Sequence, residues 1–127
     1  VMEQWHMSLS DEQSDFTKDV AQLICHGSSK NIKMMLKEGY RHPKLQEYYY
    51  SIGKTKTKNS LHMVGLAVDF DFKINNKICY EPVLLATLGE FWETIDEHNE
   101  WGGYWDFLDV RHFERRRKPR KKRVHGA

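Results

Sequence analysis

The stretch that decides the fold reads SLHMVGLAVD at residues 60–69, and a second stretch, DVRHFE at residues 109–114, completes it. The first stretch contains a histidine and an aspartate seven positions apart, and the second contains a histidine three positions after an aspartate. A hydrolytic zinc site binds three nitrogen or oxygen ligands and keeps its fourth position for water. A fourth side chain, an unliganded carboxylate, can act on that water as a base. The residues that fit this chemistry are the histidines His62 and His112 and the aspartates Asp69 and Asp109, of which one aspartate would be the third ligand and the other the base.

Apolar residues alternate with other residues over Leu66–Phe72, which predicts a β-strand. Leu66, Val68 and Phe70 share one face of that strand, which we expect to lie in the core. Asp69 then points to the opposite, open face, where a metal ligand belongs.

Helical and strand patterns elsewhere predict a small single α+β domain with an antiparallel sheet and helices packed mainly on one side. A capping box, Ser10 to Gln13, predicts the start of the first helix, and Gly27 is a plausible stop. The remaining predicted helices run from Pro43 to about Ser51 and from Pro82, and further strands are predicted at Lys77–Tyr80 and Arg111–Glu114. The segment Asn31–Leu36 alternates as in a strand but also suits a helix, and we favour a strand.

The ordered blocks S-x-H-x-x-G-x-A-x-D, W-G-G and D-x-x-H-F-E resemble the zinc D,D-carboxypeptidase and L-alanyl-D-glutamate peptidase family. That family includes the VanX and VanY enzymes and many phage endolysins that cut peptidoglycan stem peptides. The resemblance spans roughly residues 39–114 and implies a Hedgehog-like metallopeptidase fold with one zinc ion per chain. Two positions depart from the pattern of many relatives, namely Leu61 and Tyr104.

The resemblance also assigns roles to individual residues. Asp109 matches the general base, which takes a proton from the attacking water and passes it to the leaving amine. Arg41 matches an arginine that faces the substrate carbonyl, and Gln46 matches a glutamine one turn into the following helix. Ser60 and Glu114, each two positions from a ligand, are candidates to orient an imidazole or the substrate.

Charge is distributed unevenly along the chain, whose formal net charge is +2. Eight of the 20 lysines and arginines lie in residues 115–123, which leaves 12 against 18 acidic residues in the remainder. We therefore divide the chain into a zinc peptidase domain, residues 1–114, and a basic, flexible tail, residues 115–127. The tail is expected to contact anionic envelope polymers, with a merely solubilising role second and nucleic-acid binding third, because no nucleic-acid motif accompanies it.

The remaining features concern localisation and the state of the cysteines, and the bacterial setting follows only from the resemblance to endolysins. Residues 1–6 have neither the basic nor the apolar region of a secretory signal, so we expect none, and no apolar stretch approaches the roughly 20 residues of a membrane span. We expect synthesis in the host cytoplasm, action on the cell wall after release, and a monomer. Cys25 and Cys79 are expected to be reduced thiols, and a disulfide between them is the alternative.

Three classes of function remain at this point. The first is a phage-type endolysin that cuts the L-alanyl-D-glutamate bond, with D-alanyl-D-alanine carboxypeptidase or dipeptidase action as the alternative within the same class. The second is a non-catalytic wall- or partner-binding domain on the same scaffold, and the third is a nucleic-acid-binding protein.

Overall fold

The computed structural model describes residues 7–124. Three helices and five strands follow one another as α1 (Leu9–Ser29), β1 (Ile32–Glu38), α2 (Pro43–Ser51), β2 (Ala67–Ile74), β3 (Lys77–Ile78), α3 (Pro82–Ile95), β4 (Asn99–Trp101) and β5 (His112–Arg115). Two short 3₁₀ helices, Leu61–Val64 and Gly102–Tyr104, lie in the connections. No helix in this part of the chain has the length and apolarity to cross a membrane.

The strands form one antiparallel sheet in the order β1-β2-β5-β4, with β3 paired to β2. Helices α1 and α3 pack on one face of this sheet, and the face opposite to them is called the open face below. Aromatic and aliphatic side chains from both layers form the buried core, which includes Phe16, Leu23, Val68, Phe70, Phe72, Leu85, Leu88, Trp92, Trp101 and Phe113. The predicted α+β domain is confirmed.

The first helix begins earlier than predicted. Ser8 is its N-cap, because the Ser8 hydroxyl accepts a hydrogen bond of 3.1 Å from the Asp11 amide, and the predicted capping box at Ser10 is wrong. Gly27 does not end the helix, which continues to Ser29. The chain turns instead at Asn31, whose φ of 60° is in the left-handed region that asparagine tolerates.

Most strand predictions hold within a few residues. Strand β1 confirms the strand that was expected from the alternation at Asn31–Leu36. The third strand is shorter than predicted and ends at Ile78. Strand β4 was not predicted, since its three residues carry no periodic signal. Cys25 and Cys79 are both free thiols.

The basic segment differs from the prediction in the part that the structure describes, residues 115–124. The boundary after Glu114 falls inside β5, and Arg115 is buried at 3% exposure. Arg117 forms an ion pair with Glu12 at 2.7 Å, and Arg123 forms one with the buried Glu93 at 2.8 Å. Arginines that were expected in solvent are therefore bound by acidic groups of the domain. Residues 125–127 lie outside the described residues.

Candidate metal centre

His62 lies on the 3₁₀ helix that precedes β2. The Ser60 hydroxyl caps this short helix by accepting a 3.1 Å hydrogen bond from the His62 amide. Gly65 ends it with a φ of 69°, a left-handed conformation that glycine adopts without a steric penalty. The Gln13 side chain of α1 donates a 2.8 Å hydrogen bond to the Val64 carbonyl. These contacts fix the backbone that presents the imidazole.

Asp69 and His112 are brought together by the register of the sheet, in which β2 and β5 pair them directly. Directly opposed residues in an antiparallel pair project from the same face. His112 Nδ1 lies 3.0 Å from Asp69 Oδ1, and His62 Nε2 lies 3.2 Å from Asp69 Oδ2. One ligand atom from each of the three residues lies within 4.8 Å of the other two. The three predicted ligands therefore converge on the open face.

Each imidazole is held through the ring nitrogen that points away from the cluster. His62 Nδ1 lies 2.7 Å from the Gly39 carbonyl oxygen, and because that oxygen can only accept, Nδ1 carries the proton. His112 Nε2 lies 2.8 Å from Glu114 Oε1, to which it donates. The nitrogens that face the centre, His62 Nε2 and His112 Nδ1, can then offer lone pairs to a metal.

The electrostatics of the cluster favour a positive charge at its centre. Burial lowers the pKa of His112, but the hydrogen bonds with Asp69 and Glu114 and their charges outweigh it and raise that pKa to about 9. Burial raises the pKa of Asp69, but the hydrogen bond with His112 and the proximity of His62 hold it well below its usual range. His62 Nε2 is buried and has no hydrogen-bond partner among the described residues. A divalent metal ion would supply the positive charge that these carboxylates attract and would take the place of the proton on His112 Nδ1, so that both imidazoles and Asp69 could act as ligands.

Asp109 lies in the loop before β5. Its amide donates a 3.0 Å hydrogen bond to the Gly102 carbonyl, and its carbonyl accepts one of 3.2 Å from the His112 amide. A Cβ on Gly102 would lie 2.3 Å from the Asp109 carbonyl oxygen, so this close packing requires glycine. Burial raises the pKa of Asp109; the charge of Asp69 adds to the rise and that of His112 opposes it. A carboxylate with a raised pKa is a stronger base than an ordinary aspartate, which suits it to accept a proton.

Arg41 and Gln46 form a buried network beside the 3₁₀ helix. Arg41 donates a 2.6 Å hydrogen bond to Gln46 Oε1, and Gln46 donates one of 2.8 Å to the Thr57 carbonyl. The Arg41 amide also donates to the His62 carbonyl at 2.9 Å, which places this network next to the cluster. The other side of the guanidinium binds both carboxylate oxygens of Glu38.

Three residues of the site were not found from the sequence. Gln13 reaches the 3₁₀ helix from α1, a contact for which the sequence carries no signal. Trp105 lies with its ring centroid 5.2 Å from that of His112. Glu38 could have been found, because a carboxylate three residues before an arginine is a common ion-pair spacing and the chain reads Glu38-Gly39-Tyr40-Arg41.

The fold and this cluster define the class: a metallopeptidase with a His-Asp-His centre that could hold a metal ion. A family described as D-alanyl-D-alanine carboxypeptidase matches residues 53–115, which include every cluster residue and Asp109 but neither Arg41 nor Gln46. This match supports a peptidoglycan-acting peptidase of this kind. A search of curated proteins gives no significant match.

The fold is similar to a solved structure, the L-Ala D-Glu endopeptidase ChiX of Serratia marcescens. The TM-score is 0.61 with 23% sequence identity, and the match covers 77% of this chain and 78% of ChiX. At this identity the similarity establishes the shared fold.

Proposed function

We propose that this chain is a zinc-dependent peptidase that hydrolyses the L-alanyl-D-glutamate bond of peptidoglycan stem peptides. The observation that carries the proposal is the convergence of His62, Asp69 and His112 within 4.8 Å on the open face. The fold shared with an L-Ala D-Glu endopeptidase favours this bond over others. In this proposal the chain acts as a monomeric endolysin, with one zinc ion held by these three residues.

A zinc ion held there would lower the pKa of water and polarise the scissile carbonyl. Asp109 takes a proton from the attacking water as the new C–O bond forms. It then delivers that proton to the amide nitrogen as the C–N bond breaks. The raised pKa of the Asp109 carboxyl supports this role, because it makes the carboxylate a stronger base than an ordinary aspartate.

The other predicted residues support this reaction from around the cluster. Glu114 accepts from His112 and so orients its ring. Ser60 acts on the backbone of His62 rather than on its ring, by capping the 3₁₀ helix. Arg41 supplies positive charge near the oxygen that becomes negative, and its bonds with Glu38 and Gln46 hold the guanidinium in one position.

D-alanyl-D-alanine carboxypeptidase action is the second candidate, and the description of the matched family favours it. The two activities leave different products on the same stem peptide. Endopeptidase action exposes the amino group of D-glutamate, whereas carboxypeptidase action releases free D-alanine.

The deciding experiment is mass spectrometry of purified pentapeptide muropeptides after incubation with the zinc-loaded protein. We expect new fragments that begin with D-glutamate and no released D-alanine. Release of D-alanine without those fragments would replace the proposal with the second candidate. Intact muropeptides beside a protein that binds one zinc ion would exclude both bonds.

A further inference from the structure

A second group of polar side chains lies on the open face beside the metal centre, with Asp71 in its middle. Arg111 Nε donates a 2.7 Å hydrogen bond to Asp71 Oδ1, and the Tyr80 hydroxyl donates one of 3.0 Å to the same oxygen. Lys37 Nζ lies 3.6 Å from Asp71 Oδ2. The Asp71 side chain is only 16% exposed, so it is a fixed anchor for the groups around it.

This group is adjacent to the predicted metal ligands in the sheet. Asp71 follows Asp69 by two residues on β2, so both side chains project from the same face about 7 Å apart along the strand. Arg111 directly precedes His112, and its carbonyl accepts a 3.0 Å hydrogen bond from the Phe70 amide. An extended peptide advances about 3.3–3.6 Å per residue. A substrate bound at the metal centre therefore reaches the group within one or two residues.

The group itself carries surplus positive charge, because it holds two cations, Arg111 and Lys37, and one carboxylate, Asp71, although the charge of Asp69 in the neighbouring cluster also reaches Arg111. The Arg111 side chain is 40% exposed, and among the described residues it uses only Nε for a hydrogen bond. Its two terminal Nη groups are left to bind a ligand. Arg41 differs, since its side chain is 10% exposed and binds Glu38 and Gln46. The guanidinium of Arg111 is therefore held in place by Asp71, and its terminal N–H groups can donate hydrogen bonds to a carboxylate.

We propose that Arg111, positioned by Asp71 and Tyr80, binds a carboxylate that the peptide substrate carries next to the scissile bond. This inference rests on the proposed function and adds the substrate feature that is recognised. For the L-alanyl-D-glutamate bond, that feature is the free α-carboxylate of D-glutamate. A stem peptide in which this group is an amide cannot form the same charge-assisted pair.

The test compares cleavage of two stem peptides that differ only at that position, one with the free α-carboxylate and one with the α-carboxamide. The native protein is expected to cleave the carboxylate peptide with a kcat/KM about 10-fold or more above that of the amide. The Arg111→Gln variant is expected to cleave both peptides with nearly equal kcat/KM. The ratio is measured within one enzyme, so it does not depend on how much of the variant is folded or holds metal. Lys77→Gln, which removes an exposed charge from β3, is the matched control and should keep the native ratio.

Equal cleavage of both peptides by the native protein would overturn the inference and leave the proposed function intact. A native ratio in Arg111→Gln would overturn it as well, because the discrimination would then come from other groups. Cleavage of neither peptide would contradict the proposed function itself and remove the substrate that the inference names.

Discussion

Each histidine of the cluster is held through the ring nitrogen that faces away from the centre. His62 relies on the Gly39 backbone carbonyl, which no substitution removes, whereas His112 relies on the Glu114 side chain. Partners of this kind set the tautomer and the orientation of a ligating imidazole. Glu114 is therefore the position at which this support can be tested.

Replacing Glu114 with alanine should lower the affinity for zinc about 10–100-fold, because the His112 ring loses its orienting acceptor. The measurement is competition for zinc with a chromophoric chelator at fixed pH. Glu97→Ala is the control, since Glu97 is an exposed carboxylate and its removal should leave the affinity unchanged. An unchanged zinc affinity in Glu114→Ala would show that His112 needs no such partner.

The cluster residues could be predicted because zinc chemistry restricts the residue types and their spacing. The alternation in β2 also placed Asp69 on the open face without knowledge of the fold. Gln13 and Trp105 could not be predicted, because they reach the site through tertiary packing of α1 and of the loop before β5. Patterns within one segment carry no information about such contacts.

The 3₁₀ helix at Leu61–Val64 is the element on which the position of His62 depends. It is only one turn long, so its own backbone bonds contribute little. The Ser60 cap, the Gln13 contact and the left-handed Gly65 define its two ends. Of these three features, the conformation of Gly65 restricts the residue type most, because only glycine adopts it without strain.

Gly65→Ala should lower the free energy of unfolding by about 1–2 kcal/mol, because an L-residue is strained at a φ of 69°. The new Cβ would also lie 3.1 Å from Gln13 Nε2, which disturbs the bond to Val64. Urea unfolding measures the change. Gly39→Ala is the matched control, because its Cβ meets no atom within 4 Å and its φ is not in the left-handed region. Equal stabilities for the two variants would contradict this account.

The helices and the long strands could be predicted because each repeats its pattern over two or more turns or pleats. Their ends were less certain, and α1 is an example. Ser8 and Ser10 are both competent caps, and the path of the chain into the helix decides between them. Strand β4 was missed because three residues, Asn-Glu-Trp, form a strand only through their pairing with β5.

Arginines of the C-terminal basic segment, in residues 115–124, form ion pairs with acidic groups of the domain. The segment therefore exposes less unpaired positive charge than a solvated tail would. Arg123 binds Glu93 at 2.8 Å, and its guanidinium lies 4.2 Å from the centroid of the Tyr104 ring. Tyr104 belongs to the 3₁₀ helix between β4 and the Asp109 loop. A run of cations is normally solvated. Here acidic side chains from distant parts of the sequence bind the arginines of the segment. Because folding brings these groups together, the sequence alone did not predict the contacts.

Arg123→Ala should lower the free energy of unfolding by roughly 1.5–3 kcal/mol, because it removes charge-assisted hydrogen bonds to the buried Glu93 carboxylate. Thermal or urea unfolding of the full chain measures this change. Lys122→Ala removes the same charge from an exposed neighbouring position and should cost less than about 0.5 kcal/mol. Equal, small effects of both substitutions would mean that the segment is not bound in solution.

In the proposed mechanism, three residues hold zinc while Asp109 moves the proton. The most direct measurement is zinc content together with the rate of stem-peptide cleavage, in the native protein and in Asp109→Ala. We predict about one zinc ion per chain in both proteins. The variant should cleave about 10²–10⁴-fold more slowly, which is the usual contribution of a general base. Native activity in Asp109→Ala, or a native protein that binds no zinc, would contradict the account.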